Sequence, residues 1–87
     1  MRTIAFDPIA FTQFNEWSQT DKQIHTKIIA LINDIARNPF TGLGKPEPLK
    51  HDYQGAWSRR ITDKHRLVYS VSDQQILILH CKYHYSK

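Results

Sequence analysis

The spacing of apolar residues changes once along this chain, and the change falls on a loop. Ile24, Ile28, Leu31, Ile32 and Ile35 recur at helical spacing, so they form one stripe of an amphipathic helix. From Trp57 onward the period is two, the spacing of strands. Between the two regimes lie Gly42, Gly44, Pro46 and Pro48, residues that break regular structure. A chain of 87 residues with this division has room for one domain, 1–87, and its class is α+β.

The elements follow from local signals. Thr3 to Phe6 reads as a short strand. Asp7-Pro8 is an N-cap with proline at the first helical position. Ala10, Phe11, Phe14 and Trp17 give a first helix to about Ser18, with all four expected in the core. Thr20-Asp21-Lys22-Gln23 has the form of a capping box and opens the second helix, which Asn38-Pro39 ends. Strands are expected over Trp57–Thr62, Arg66–Val71 and Gln75–Tyr83, joined by turns at Asp63-Lys64 and Ser72–Gln74. His51–Gln54 is a candidate for another short strand. Tight turns between successive strands imply an antiparallel meander, with the helices covering one face and the other partly open.

The connecting loop carries an unusual unit, Gly44-Lys45-Pro46-Glu47-Pro48-Leu49-Lys50-His51. Proline fixes φ and pushes the preceding residue to extended geometry, so Glu47 is expected on a stiff extended arm, flanked by lysines. Charge is uneven in the same direction. Residues 1–44 hold four basic and four acidic side chains, whereas residues 45–87 hold eight basic and four acidic, the whole net charge of +4. Four of the five histidines also lie there. That asymmetry suits an anionic partner met by one part of the molecule; a merely soluble basic surface fits charge alone as well.

Alternation assigns faces. In the last strand Leu77, Leu79, Cys81 and Tyr83 form the set expected to meet the helices, and Ile76, Ile78, His80, Lys82 and His84 the other. Arg66, Val68 and Ser70 lie opposite Leu67, Tyr69 and Val71. Arg66 and His84 therefore share the open face. His80 and His84 are about 13 Å apart on a strand, too far for one metal, and no cysteine pair or acidic cluster supplies further ligands. Metal and cofactor are both expected to be absent. Thr41–Lys45 lacks the spacing and helix of a phosphate loop. Cys81, the single cysteine, fits a reducing cytoplasm and a buried position. No apolar run is long enough for a membrane span, and Met1–Asp7 lacks the apolar region of a signal peptide.

Cleaving RNA without a metal requires a base for the 2′-OH, cations for the charge that builds on the phosphate, and an acid for the departing 5′-oxygen. Glu47, Arg66 with Lys50, and His84 match those roles in type. Plain alternatives stand beside them. Glu47 pairs equally well with Lys45 or Lys50, Arg66 with Asp63 or Asp73, and His84 suits a solvated position. His65 and His80 are expected to be structural or surface residues.

Residues 44–69 read Gly-Lys-Pro-Glu-Pro-Leu-Lys-His, five residues, Trp-Ser-Arg-Arg-Ile-Thr, two residues, His-Arg-Leu-Val-Tyr; Tyr83-His84-Tyr85 follows near the end. Together with Thr20-Asp21-Lys22 and Asn38-Pro39-Phe40, these blocks resemble the YoeB toxins (the Txe/YoeB family), a branch of the RelE-like ribonucleases of toxin–antitoxin systems. The similarity covers essentially the whole chain. It implies a RelE-like fold, with an N-terminal strand and two helices packed on one face of a small antiparallel sheet. It implies an endoribonuclease that cleaves mRNA in the A site of the 70S ribosome and stops translation, leaving a 2′,3′-cyclic phosphate or 3′-phosphate. By matched position, Glu47 is the expected general base, His84 the general acid and Arg66 the transition-state stabiliser. Lys50, Arg59 and Arg60 are expected to bind RNA and phosphate, and Tyr85 to stack near the scissile nucleotide. A cognate antitoxin, a homodimer and contacts to ribosomal RNA are implied as well. The chain departs from the family in carrying Ser86-Lys87 after His84-Tyr85, which adds a positive charge beside the expected site.

Overall fold

The computed structural model describes residues 2–83. In order along the chain come β1 (Thr3–Phe6), α1 (Pro8–Thr20), α2 (Lys22–Arg37), β2 (Glu47–Pro48), a 3-10 turn at His51–Tyr53, β3 (Ala56–Arg60), β4 (Arg66–Val71) and β5 (Gln75–His80). The strands form one sheet in the order β1-β5-β4-β3-β2. The expected meander is present: β2 to β5 pair antiparallel in succession. β1 joins it in parallel, with Thr3 opposite Gln75 and Phe6 opposite Ile78, so the sheet is mixed rather than wholly antiparallel.

Both helix starts have a physical cause. The Asp7 carboxylate accepts from the Ile9 N–H, and Pro8 occupies the first turn where no N–H is needed. The second helix is capped by Asp21 rather than Thr20, its carboxylate accepting from the N–H groups of Gln23 and Ile24. Asp21 also ends α1, its own N–H donating to the Trp17 carbonyl. One residue thus closes one helix and opens the next, and α1 runs on to Thr20.

Both helices pack on one sheet face. Ala10 and Trp17 from α1 and Ile28, Leu31 and Ile35 from α2 bury against Leu67, Tyr69, Ile76, Ile78 and Cys81. Phe11, expected in the core, is 55% exposed. It lies edge-on to Phe6 at the rim of the helix layer, with ring centroids 6.2 Å apart. Among the described residues no helix is long and apolar enough to cross a membrane.

The face assignment of the last strand is inverted. Ile76 and Ile78, not Leu77 and Leu79, meet the helices. The cause lies in the pairing of β4 with β5: Tyr69 opposes Ile78 and Val68 opposes His80, so Leu79 is an extra residue with no partner. Such a bulge reverses the phase of alternation. Leu79 packs in a second small cluster with Leu49, Ala56 and Val68 on the other face, and Cys81 returns to the helix side.

Candidate functional site

The face away from the helices is organised by strand register. Glu47 lies opposite Ser58, Ser58 opposite Val68, and Val68 opposite His80, a row that crosses four strands. Residues directly opposite share a face. Val68 and Leu49 belong to the second cluster, which Tyr53 and Leu79 flank. Tyr53 stands edge-on to His80, with ring centroids 6.2 Å apart. The face is thus partly roofed by residues 49–53, and Glu47 stands exposed at its edge.

Glu47 is therefore not on an isolated arm. The proline-framed segment docks as a two-residue edge strand, and the Leu49 N–H extends the pairing to the Ala56 carbonyl. Lys45, expected to be extended before Pro46, instead has φ of +52°. The loop is drawn against the sheet at Gly44, whose carbonyl accepts from the Arg60 N–H. Gly44 has φ of +78°, and a Cβ there would stand 3.0 Å from the Arg60 carbonyl oxygen, so the approach requires glycine. The expected strand at His51–Gln54 is a 3-10 turn over His51–Tyr53.

Two arginines lie on the row's basic side. Arg60 and Arg66 are directly opposite on β3 and β4. Arg60 is exposed and Arg66 half-buried. Arg66 Nη1 donates to the Thr62, Asp63 and His65 carbonyls, at 2.7, 3.2 and 3.1 Å. These bonds fix the guanidinium, and its other nitrogens have no partner among the described residues. From the register, the Cα atoms of Glu47 and Arg66 are about 12 Å apart, two strand spacings across and two residues along. Two long side chains reaching over that span bracket a group the size of a phosphodiester.

The ion-pair alternatives do not occur among the described residues. Glu47, Lys50, Arg60 and Arg66 are absent from the salt bridges, which join Asp34 to Arg37 and Arg59, and Lys82 to Glu16. Glu47 and Lys50 are exposed. Six groups were expected in the site besides Arg59: Glu47, Lys50, Arg60 and Arg66 fall in this part of the molecule, while His84 and Tyr85 lie outside the described residues.

Arg59 is the correction. Expected to bind RNA, it is fully buried on the helix side. Its Nε donates to the Tyr69 hydroxyl at 3.1 Å, Nη1 to Asp34 and the Leu43 carbonyl, and Nη2 to the Asn38 and Thr41 carbonyls. All five donors of the guanidinium are used. The Tyr69 hydroxyl in turn donates to the Pro39 carbonyl at 2.6 Å. Arg59 thus staples the loop after α2 to the sheet. The Leu43 N–H, and then Arg59, hold the Asp34 carboxyl below its ordinary value, while burial pushes the Tyr69 hydroxyl up. Gly42 is part of the same device: a Cβ there would lie 2.1 Å from the Asp34 carboxylate.

The two unassigned histidines are placed differently. His80 is half-buried, and burial holds its ring below the usual histidine range, partly offset by a hydrogen bond at the Lys82 backbone. His65 is buried between Trp17 and Tyr83. The register row that brings His80 level with Glu47 depends on the bulge, for which the sequence carries no evident signal. Burial pushes the Cys81 thiol up to about 12, which makes it a poor nucleophile.

Comparison with known proteins gives one answer. A family profile described as "YoeB-like toxin of bacterial type II toxin-antitoxin system" matches residues 6–85. Toxin YoeB of Escherichia coli K12 is 61% identical over 69 residues, 79% of this chain and 82% of that protein. Toxin YoeB of Mycobacterium bovis is 47% identical over 85 residues, 98% of this chain and all of that one. Among solved structures, the YoeB dimer of Staphylococcus aureus superposes with a TM-score of 0.89 at 47% identity, covering 97% of this chain and 98% of that one.

Proposed function

Because the chain belongs to the YoeB-like toxins of bacterial type II toxin–antitoxin systems, we propose that it is a ribosome-dependent mRNA endoribonuclease using acid–base chemistry without a metal. The observation that carries this reading is Glu47: an exposed carboxylate, unpaired among the described residues, in register with a face that holds Arg60 and Arg66. A solvated surface glutamate needs no such placement. A base that must take a proton from a ribose 2′-OH beside a phosphate does.

In the proposed reaction Glu47 removes the 2′-OH proton in the A site of the ribosome. The 2′-oxygen attacks phosphorus, and the P–O5′ bond breaks. His84 gives a proton to the leaving 5′-oxygen, so the products are a 2′,3′-cyclic phosphate and a 5′-hydroxyl. Arg66 stabilises the charge on the non-bridging oxygens, with its turn contacts limiting reorganisation. Lys50 and Arg60 hold flanking phosphates, and Tyr85 stacks on a base. Arg59 has no part in RNA contact, since its donors are spent internally.

The S. aureus relative has been solved both as a dimer and in a complex with YefM. We extend both to this chain: an antitoxin of that kind and a second copy are its proposed protein partners. The test of the enzyme reading is Glu47→Gln on ribosomes programmed with a defined message, read by primer extension and end-group analysis. The variant should bind ribosomes as wild type and lose at least about a hundredfold in cleavage, the usual size of a lost general base. On ribosomes, cleavage should survive EDTA as long as enough free Mg²⁺ is kept to hold the ribosome together. Undiminished translational arrest by Glu47→Gln would make the protein a binder that blocks the ribosome rather than cuts the message.

A further inference from the structure

After β5 the chain turns sharply, and the turn is fastened at several points. Trp17 Nε1 donates to the Cys81 carbonyl at 2.9 Å, and the Cys81 N–H donates to Gln13 Oε1 at 2.7 Å. Tyr83 is held by both of its backbone groups. Its carbonyl accepts from the Arg66 N–H at 3.1 Å, and its N–H donates to His65 Nδ1 at 2.7 Å. Tyr83 has φ of +62°, a conformation that residues other than glycine keep only when their surroundings impose it.

His65 is itself well fixed. Its ring stands edge-on to Trp17 at 4.8 Å and 75°, and only 8% of the residue is exposed. Its backbone N–H donates to Thr62 Oγ1, and its carbonyl accepts from Ile61 and Thr62. An Nδ1 that accepts a hydrogen bond carries no proton, so the contact exists only with the neutral ring. The charged groups around it add to that requirement. Lys64 and Lys82 lie over the Tyr83 ring at 5.8 and 5.5 Å. Lys82 also lies over Trp17 and pairs with Glu16 of α1 at 3.7 Å. Asp63 precedes His65 in the β3–β4 turn and Arg66 follows it, while the buried Cys81 thiol is uncharged.

We propose that His65 is a positioning residue for catalysis: its Nδ1 fixes Tyr83, the residue directly before His84, and protonation of that nitrogen releases the fix. The inference deepens the reading above, because it rests on His84 acting in the reaction. It makes His65 the support of His84 and builds an acid-sensitive latch into the turn. The direction separates the two histidines. A general acid loses activity as pH rises, whereas the latch loses it as pH falls.

The test uses ¹⁵N-labelled full-length protein and two variants. His65→Asn keeps an acceptor near the Nδ1 position and does not titrate; His65→Leu removes the acceptor. As pH falls from about 8 through the range in which a histidine held neutral by burial and an accepted hydrogen bond takes up its proton, the His65 ring and the Tyr83 amide signal should titrate together, and kcat for message cleavage should fall on the same curve. His65→Asn should keep kcat within about threefold of wild type and lack that step; His65→Leu should lose about tenfold or more in kcat with KM little changed, the mark of misplacement. A Tyr83 amide indifferent to His65 protonation overturns the proposal. So does a His65→Leu protein that melts as wild type and cleaves as fast. If His65→Leu does not fold, the wild-type amide titration decides. If Glu47→Gln cleaves normally, the catalytic reading fails, and that same titration still tells whether the latch exists.

Discussion

Two neighbouring arginines divide the work of this molecule. Arg60 faces the open side and remains available, whereas Arg59 points inward and is consumed by the loop after α2. Alternation from Trp57 carries the signal that separates them, since Trp57 and Arg59 share the helix-facing side, whereas the family resemblance groups Arg59 with Arg60 as RNA-binding. The anion that makes Arg59 tolerable there is Asp34, at 2.6 Å. Its carboxyl is held below the ordinary value of 3.8, by the Leu43 N–H first and Arg59 second. A depressed carboxyl contributes stability that is fully present above the unfolded value and lost as pH falls through the folded one. Asp34→Asn should therefore unfold at lower urea than wild type from neutral pH down to about pH 5, and the gap should narrow only below about 3.8. Urea midpoints over that pH series check it; a gap that is constant down to pH 2.5 would remove Asp34 from the explanation.

At the scale of elements, the best-read features are those with chemically distinct alternatives. Asp7-Pro8 admits one reading, and β4 alternates Leu67, Tyr69 and Val71 against Arg66, Val68 and Ser70, so its faces follow directly. β5 offers Ile76 and Ile78 against Leu77 and Leu79, two equally apolar sets, and hydropathy cannot choose between them. The choice is made by pairing, through the unpartnered Leu79. The same reason hid the docking of Glu47: prolines announce an extended backbone but not the strand it lies beside. The helix junction lies one residue beyond the expected cap because Thr20 and Asp21 are both good caps, and only geometry shows which carboxylate or hydroxyl meets the free N–H groups. Asp21→Ala should cost about 1 kcal/mol, the ordinary worth of such a cap. Because Asp21 joins two helices, the loss should appear in urea unfolding as a shifted midpoint with an unchanged slope. A variant as stable as wild type would show that tertiary packing alone sets the junction.

For the whole molecule, the division between a neutral first half and a basic second half has become a division between two faces. Asp34 and Arg59 neutralise each other inside, while Lys50 and Arg60 stay exposed. If these two contact RNA phosphates as proposed, binding should weaken with salt through counterion release. Lys50→Gln and Arg60→Gln should each flatten the slope of log affinity against log salt by about 0.7 for single-stranded RNA. Titrations at several potassium concentrations measure it, and slopes unaltered in both variants would move the RNA elsewhere on the surface.

The parallel pairing of β1 with β5 has a consequence for how such a protein is made. Among the described residues, β1 pairs only with β5, the strand furthest from it along the chain. Thr3–Phe6 is made before Gln75–His80 and stays without a template until then, so β1 takes its place in the sheet only after β5 exists. The longest loop in the sheet is closed last, a high-contact-order step. A chain in which β5 is not yet available therefore lacks the completed sheet, and the proposed cleft is assembled only once β5 is free to pair.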